Sequence, residues 1–426
     1  MYRIFAFIVL CTVILTSLTG CYDAVELNDV EHVSIIGIDR GVSDKWRITF
    51  QLPSTASEGE KSSMGGGGQA GGGFSYKTLT IDAPSFFSGL ELANASIPRK
   101  IDLSHTQLLV FSEELARSGM VGEFIAPIVR GGTIRFSSNV VISRGSAEEF
   151  VKSFKPFIGK TISREIADLM EQANESGYFT DLTLYDLYDC IKSTYHQPIA
   201  ILGAVNKGEN FKEDGGRWGT EFNIAGDYYA GDIPRKDGNE TEILGLAVFD
   251  GDRMVGKLTG FESRLLSIAK GIFKIGIFTI QDPKSPDYII PVDTRQARSP
   301  EFDIRFEGLK PVIHLKIQLE GDILAIQSRI NYEDPKLQPV LQAAIERFVK
   351  DGLDRTIKKT QKLNCDAFKF GQKAVKHFGT IDEWEAYGWN SHYKEAEITT
   401  EVKFAIRRTG GLVESSQIIF SEEKNK

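Results

Sequence analysis

Hydrophobic and polar positions change period several times along the 426 residues, and those changes divide the chain. Residues 33–38 are densely apolar, whereas 46–52 alternate, with Trp46, Ile48, Phe50 and Leu52 on one face and Arg47, Thr49 and Gln51 on the other. Both spacings predict strands, the second stopped by Pro53. Alternation resumes at 74–81, after a stretch from 54 to 73 that is almost devoid of apolar side chains and rich in glycine. This insert reads as a flexible surface loop between strands. It lacks the ordered spacing and the following helix that a phosphate-cradling glycine loop requires. Helical spacing follows at 85–95, a strand at 106–111, short helices at 112–118 and 121–129, and a strand at 134–143. Ser146 and Glu149 fit a capping box, in which a hydroxyl and a carboxylate reciprocally satisfy free amides at a helix start. A helix-rich section runs from there to 195, and 199–205 is again strand-like.

Residues 206–239 are rich in Gly, Asp, Lys and Glu, with one short strand expected at 222–229, and read as a linker-like or bridging segment. Beyond it, 243–249 and 254–258 flank Asp250-Gly251-Asp252 as a hairpin, and Thr259 with Glu262 forms a second capping box before a helix to about 269. Strands are expected at 272–280, 288–292, 302–306, 312–319 and 397–406. A long helix is expected at 335–363, where Leu337, Val340, Ala344, Phe348, Ile357 and Leu363 recur at threes and fours or their multiples; Pro339 is tolerable only in its first turn. Strands and helices without regular alternation predict an α+β fold of two or three domains, with mixed or antiparallel sheets and packed helices. The expected organisation is an N-terminal region at 21–205, divisible near 145, the bridging segment, a C-terminal domain at 240–410 and a polar tail at 411–426.

The first twenty residues do not belong to that fold. One basic residue, Arg3, precedes a run from 4 to 15 that is apolar except for Cys11 and Thr12, and polar residues then close it. The run is shorter than the ~20 residues that span a bilayer and reads as an export signal. Leu18-Thr19-Gly20-Cys21 resembles the bacterial lipobox, which would make Cys21 the lipidated first residue of the mature protein. Each buried methylene contributes ~0.8 kcal/mol, so two acyl chains hold where one would be marginal. The mature chain is expected on the extracytoplasmic face of a membrane.

Composition narrows the function. With 41% apolar residues the chain is globular, and 50 basic against 58 acidic residues, net −8, leave no cationic stripe for a phosphate backbone. No nucleic-acid partner is expected. The cysteines, Cys11, Cys21, Cys190 and Cys365, form neither a disulfide framework nor a CxxC pair. Cys190 and Cys365 read as unpaired packing residues. Gly251 to Lys257 fits GxxxxGK, but Leu258 stands where a magnesium-binding hydroxyl belongs, and the segment lies in a hairpin. Histidines 32, 105, 196, 314, 377 and 392 never show the i, i+4 spacing of a helical zinc site, GxSxG is absent, and the Asp-Gly-Asp turn lacks the rest of a calcium loop. No catalytic residue, cofactor or metal is therefore expected, and the chain is not expected to be an enzyme.

Gly20-Cys21-Tyr22-Asp23, Glu26-Leu27-Asn28 and Gly37-Ile38-Asp39 resemble the opening signature of the Ger(x)C family, the lipoprotein C subunits of spore nutrient-germinant receptors. The resemblance continues in order: His105-Thr106-Gln107 with the strand after it, Gly245-Leu246-Ala247-Val248-Phe249, Gly256-Lys257-Leu258-Thr259, then Asp366, Phe370-Gly371, Trp384, Trp389 and Ile406-Arg407-Arg408-Thr409-Gly410. Tyr22 stands where the family usually has Trp, and the glycine-rich insert looks peculiar to this member. The resemblance implies a non-enzymatic subunit that assembles with the polytopic A and B receptor subunits at the outer face of the spore inner membrane. Glu26, Asn28 and Asp39, in the membrane-proximal opening segment, are candidates for a polar partner contact; helix or turn capping is the competing role for Asn28 and Asp39. The alternative function is a solute-binding lipoprotein of a transporter, whose two α/β lobes would carry parallel sheets.

Overall fold

A computed structural model of the chain describes residues 1–8, 29–54, 75–157, 161–211, 222–411 and 414–416. Cys21, Glu26, Asn28, the glycine-rich insert after Ser54 and most of the polar tail lie outside the described residues. The apolar stretch near 33–38 resolves into β1 (Val30–His32) and β2 (Ile35–Arg40), and the alternating stretches into β3 (Trp46–Ser54) and β4 (Ser75–Ala83). A short strand the spacing did not predict, β5 (Lys100–Asp102), pairs in parallel with β1. With β6 (Leu108–Ser112), β7 (Asn139–Ser143), β8 (Ile199–Val205), β9 (Thr241–Asp250) and β10 (Arg253–Leu258), the larger sheet runs β10-β9-β8-β7-β6-β2-β3-β4. Its centre, β8-β7-β6-β2, is parallel, and antiparallel hairpins flank it on both sides.

Both faces of this sheet are covered. α1 (Phe86–Ser96), α2 (Glu113–Ser118), α3 (Val121–Gly131) and α6 (Leu184–Lys192) contribute to the apolar core on one side, whereas α4 (Ala147–Ser153) and α5 (Ile162–Ser176) contribute to the core on the other. Strands buried on two faces need apolar residues at every position, which is why β6 and β7 read as continuous runs rather than alternations.

The bridging segment does not separate two cores. β9, the first strand after it, pairs antiparallel with β8, so the hairpin expected to open the second domain completes the first sheet. Buried Glu242 holds the described part of the segment: its carboxylate accepts from Gly231 N (2.7 Å) and Asn206 Nδ2 (2.8 Å) and pairs with Arg235 (3.1 Å). No strand forms at 222–229. The carbonyls of Gly226 and Tyr228 instead accept from the amides of Phe261 and Gly260, at the start of α7 (Gly260–Lys270).

The second sheet is β11 (Ile275–Gln281), β12 (Ile289–Glu307), β13 (Lys310–Ile323) and β14 (Glu397–Arg408), antiparallel except for the β13–β14 pair. The strands expected at 288–292 and 302–306 are one strand. Register shifts between Gln296 and Glu301 keep it paired through a polar stretch that periodicity alone reads as a break. α8 (Gln338–Lys362) covers the sheet with Leu341, Ile345, Val349, Leu353 and Ile357, and Pro339 sits in its first turn. Val340, counted above among the apolar spacing, is 38% exposed, because the buried stripe begins one residue later. One continuous core runs from Phe150 and Ile201 through Leu265 of α7 to Ile313 and Trp389. The chain is thus α+β, with two large sheets that share a core beside the small β1–β5 pair.

Candidate functional site

Among the described residues that carry the family resemblance, several meet at two joints. The first lies at the end of β2. A Cβ on Gly37 would come within 2.9 Å of Val151 Cγ2 and 3.1 Å of the Ala147 carbonyl oxygen, so glycine there lets α4 pack directly on the strand. Two residues on, Asp39 is 8% exposed, and its carboxylate accepts from Ala147 N (2.9 Å) and Glu148 N (2.8 Å). Ser146 Oγ donates to it at 3.4 Å and accepts from Glu149 N, so the helix start is capped by a distant aspartate as well as by its own serine. Of the two roles weighed for Asp39, the geometry places it in the capping one. Glu26 and Asn28 lie outside the described residues.

The second joint closes the molecule. Asp366 is fully buried after α8; its carboxylate accepts from Phe370 N (3.0 Å), Gly371 N (2.7 Å) and Trp389 Nε1 (2.9 Å). Its own amide donates to Gln197 Oε1 (2.5 Å), and Gln197 Nε2 donates to Asp250 (2.8 Å) and to the Asn364 carbonyl (3.1 Å). Gln197 leads into β8 and Asp250 ends β9, so this network ties the larger sheet to α9 (Phe370–Ala374), α10 (Ile381–Tyr387) and α11 (Trp389–Tyr393). A Cβ on Gly371 would lie 2.5 Å from the Tyr195 carbonyl. Trp384 stacks on Trp389 at 5.6 Å and donates to the Thr194 carbonyl at 3.3 Å. Burial pushes the Asp366 carboxyl up to about 6, against the opposing pull of its three donors. Gln197 was missed by sequence reading, because nothing local marks a glutamine that will bond a residue 169 positions away.

A polar crevice of about 370 Å³ opens where parallel strands β7 and β8 end, beside the turn that Asp39 helps hold. Arg144 pairs there with Asp232 (2.7 Å) and donates to the Ala230 carbonyl (2.6 Å), while Lys207 pairs with Glu149 (2.7 Å). The two cationic side chains that line it are thus paired within the protein, while the exposed Glu209 also borders it.

The GxxxxGK segment spans the β9–β10 turn and β10, and Lys257 pairs with Glu113 at 3.1 Å. Burial pushes the Cys190 thiol up to about 11 and the Cys365 thiol higher still, so neither is primed as a nucleophile. Among the described residues no helix is long and apolar enough to cross a membrane. The lipidation candidate Cys21 lies outside them.

Comparison with known proteins gives the family. Residues 23–204 match the spore germination protein N-terminal domain, and residues 244–410 match the spore germination B3/GerAC-like C-terminal domain. Spore germination protein KC of Bacillus subtilis (strain 168) is 24% identical over 416 residues, 92% of this chain and 93% of that protein. Spore germination protein GerQC of Bacillus cereus is 20% identical over 390 residues, 91% and 94% of the two chains. The crystal structure of the GerBC protein superposes with a TM-score of 0.52 at 14% identity, covering 87% of this chain and 96% of that one, a likeness of fold. The chain belongs to the Ger(x)C family of spore germination proteins and has a role in spore germination.

Proposed function

We propose that the chain is the lipid-anchored C subunit of a nutrient germinant receptor. In this reading a diacylglyceryl group on Cys21 holds it to the outer face of the spore inner membrane, where it assembles with the polytopic A and B subunits and catalyses nothing itself. The observation that carries the reading is where the family-like residues lie: Gly37 and Asp39 seat α4, and Asp366, Gly371, Trp384 and Trp389 bind the two sheets together. Such positions favour a rigid body that presents surfaces over one that turns over a substrate. A tether adds effective concentration near membrane partners without high intrinsic affinity.

Fatty-acid labelling and crosslinking in spore membranes test it. Wild-type protein is expected to carry label and to crosslink to both polytopic subunits, and Cys21→Ala to lose the label. Unchanged label on the variant removes the anchor, and absence of any crosslink to those subunits removes the assembly. Glu26, Asn28 and Asp39 remain the proposed partner contacts, tested by Glu26→Lys, Asn28→Ala and Asp39→Lys in the same crosslinking. The solute-binding alternative has one feature in its favour, a crevice at the carboxyl ends of parallel strands.

A further inference from the structure

β1 and β5 are strands of three residues each, too short to hold each other firmly by their ladder alone. Their register sets Val30 opposite Lys100, Glu31 opposite Ile101 and His32 opposite Asp102. The last pair brings His32 Nδ1 to 3.0 Å from Asp102 Oδ2. Three residues after β5, His105 returns to the same place, its ring 4.5 Å from that of His32 with the planes at 81°. One ligand atom from each of His32, Asp102 and His105 lies within 4.8 Å of the other two. Bonds of ~2.0–2.1 Å in a tetrahedral site put donor atoms about 3.3 Å apart, so side-chain adjustments of an ångström or so bring the three onto one ion.

Two further features point to a ligand. His32 Nδ1 is buried and, despite the nearby carboxylate, has no partner aligned for a hydrogen bond. Asp102 is already oriented by its neighbour: Ser104 N donates to Oδ1 and Ser104 Oγ to Oδ2, both at 2.8 Å, the kind of outer support that metal-binding carboxylates carry. His105 is exposed and the His32 and Asp102 side chains are about one-third exposed, so a hydrated ion has access and further coordination positions face solvent. The adjacent charges, Glu31 and Arg99, pair with each other at 3.2 Å.

We propose that His32, Asp102 and His105 form a binding site for a zinc-class divalent metal ion that clips β1 to β5. Two imidazoles and a carboxylate are a donor set that zinc and its first-row neighbours accept, with water or a partner's side chain completing the shell. The clip would fasten the first described strand after the N-terminal segment to the body of the domain, whether or not the chain is lipidated. A second triad, Asp189, Cys190 and His196, has comparable spacing. It is disfavoured because Lys270 and Lys369 impose positive charge on it, which opposes a divalent cation.

The test is titration of the full-length chain, in detergent and freed of metal by chelator, with Zn²⁺ by calorimetry and with Co²⁺ by visible absorption. One ion per chain, a Co²⁺ band of four- or five-coordinate type and a melting temperature raised by a few degrees at saturating Zn²⁺ are expected. His105→Ala, at an exposed position, should abolish the band with the circular dichroism spectrum unchanged, and Ser104→Ala should weaken Zn²⁺ binding about tenfold. Asp189→Asn should leave both signals intact. Absence of stoichiometric binding, or binding that survives His105→Ala, overturns the proposal, as does binding lost in Asp189→Asn.

Discussion

The two sheets carry their burial differently. In the larger one every residue of β6 and β7 is buried, because helices occupy both faces. In the smaller one β13 alternates strictly between buried and more exposed positions, because α8 and its neighbours cover one face while the other meets solvent. That outer face carries ion pairs such as Lys316–Glu301 (3.5 Å) and Arg305–Asp303 (2.6 Å). The centre of the larger sheet is a scaffold in which nearly any change is a core change; the smaller sheet is half scaffold and half surface, open to substitution or to a partner.

The joint between the sheets should yield the largest effect. Asp366→Ala leaves three buried donors unpaired and should cost about 3–5 kcal/mol in chemical denaturation, or split one transition into two. If the halves still unfold together with little loss, the shared core alone unites them. The same residue predicts a pH dependence. Its carboxyl is raised from 3.8 to about 6 in the folded state, which therefore binds more protons than the unfolded chain over that interval. Stability should fall as pH rises from about 4 to about 6, by something on the order of 3 kcal/mol, and Asp366→Ala should flatten that slope.

Within the scaffold sheet, Gly203→Ala places a Cβ 2.7 Å from Val141 Cγ1 and 2.9 Å from Phe150, and should destabilise by about 1–3 kcal/mol. A neutral result would mean that the packing between β7, β8 and α4 gives more readily than two-sided burial implies. Asp39→Ala should cost about 1–2 kcal/mol, measured as a lowered melting temperature, by removing the carboxylate that caps α4. On the open face, Lys316→Ala should stay within about 0.5 kcal/mol, since an exposed ion pair contributes little. A larger loss in isolated protein would show that this face is not the permissive one; a loss of germination with stability unchanged would mark it as a contact surface.

Much of the fold was legible in advance. Helices at 85–95, 112–118 and 121–129 and the capping box of Thr259 with Glu262 appear with small shifts at their ends. They are set by contacts within a few residues, which period and capping chemistry report directly. The family was legible too, from short motifs in the right order. The roles of those motifs were not: Asp39 reads as a partner contact or as a cap until α4, 108 residues later, arrives above it.

The sequence by itself therefore determined most of the local elements and membership in the germination family, because each is written in neighbouring residues. The tertiary structure decided that β9 and β10 complete the first sheet, that Gln197 and Asp366 lock the halves together, and that His32 meets Asp102 and His105. Those outcomes depend on which strand edges pair and which carboxylates are buried beside free amides. Both follow from the simultaneous closure of distant segments around a common core, and no local pattern carries that information.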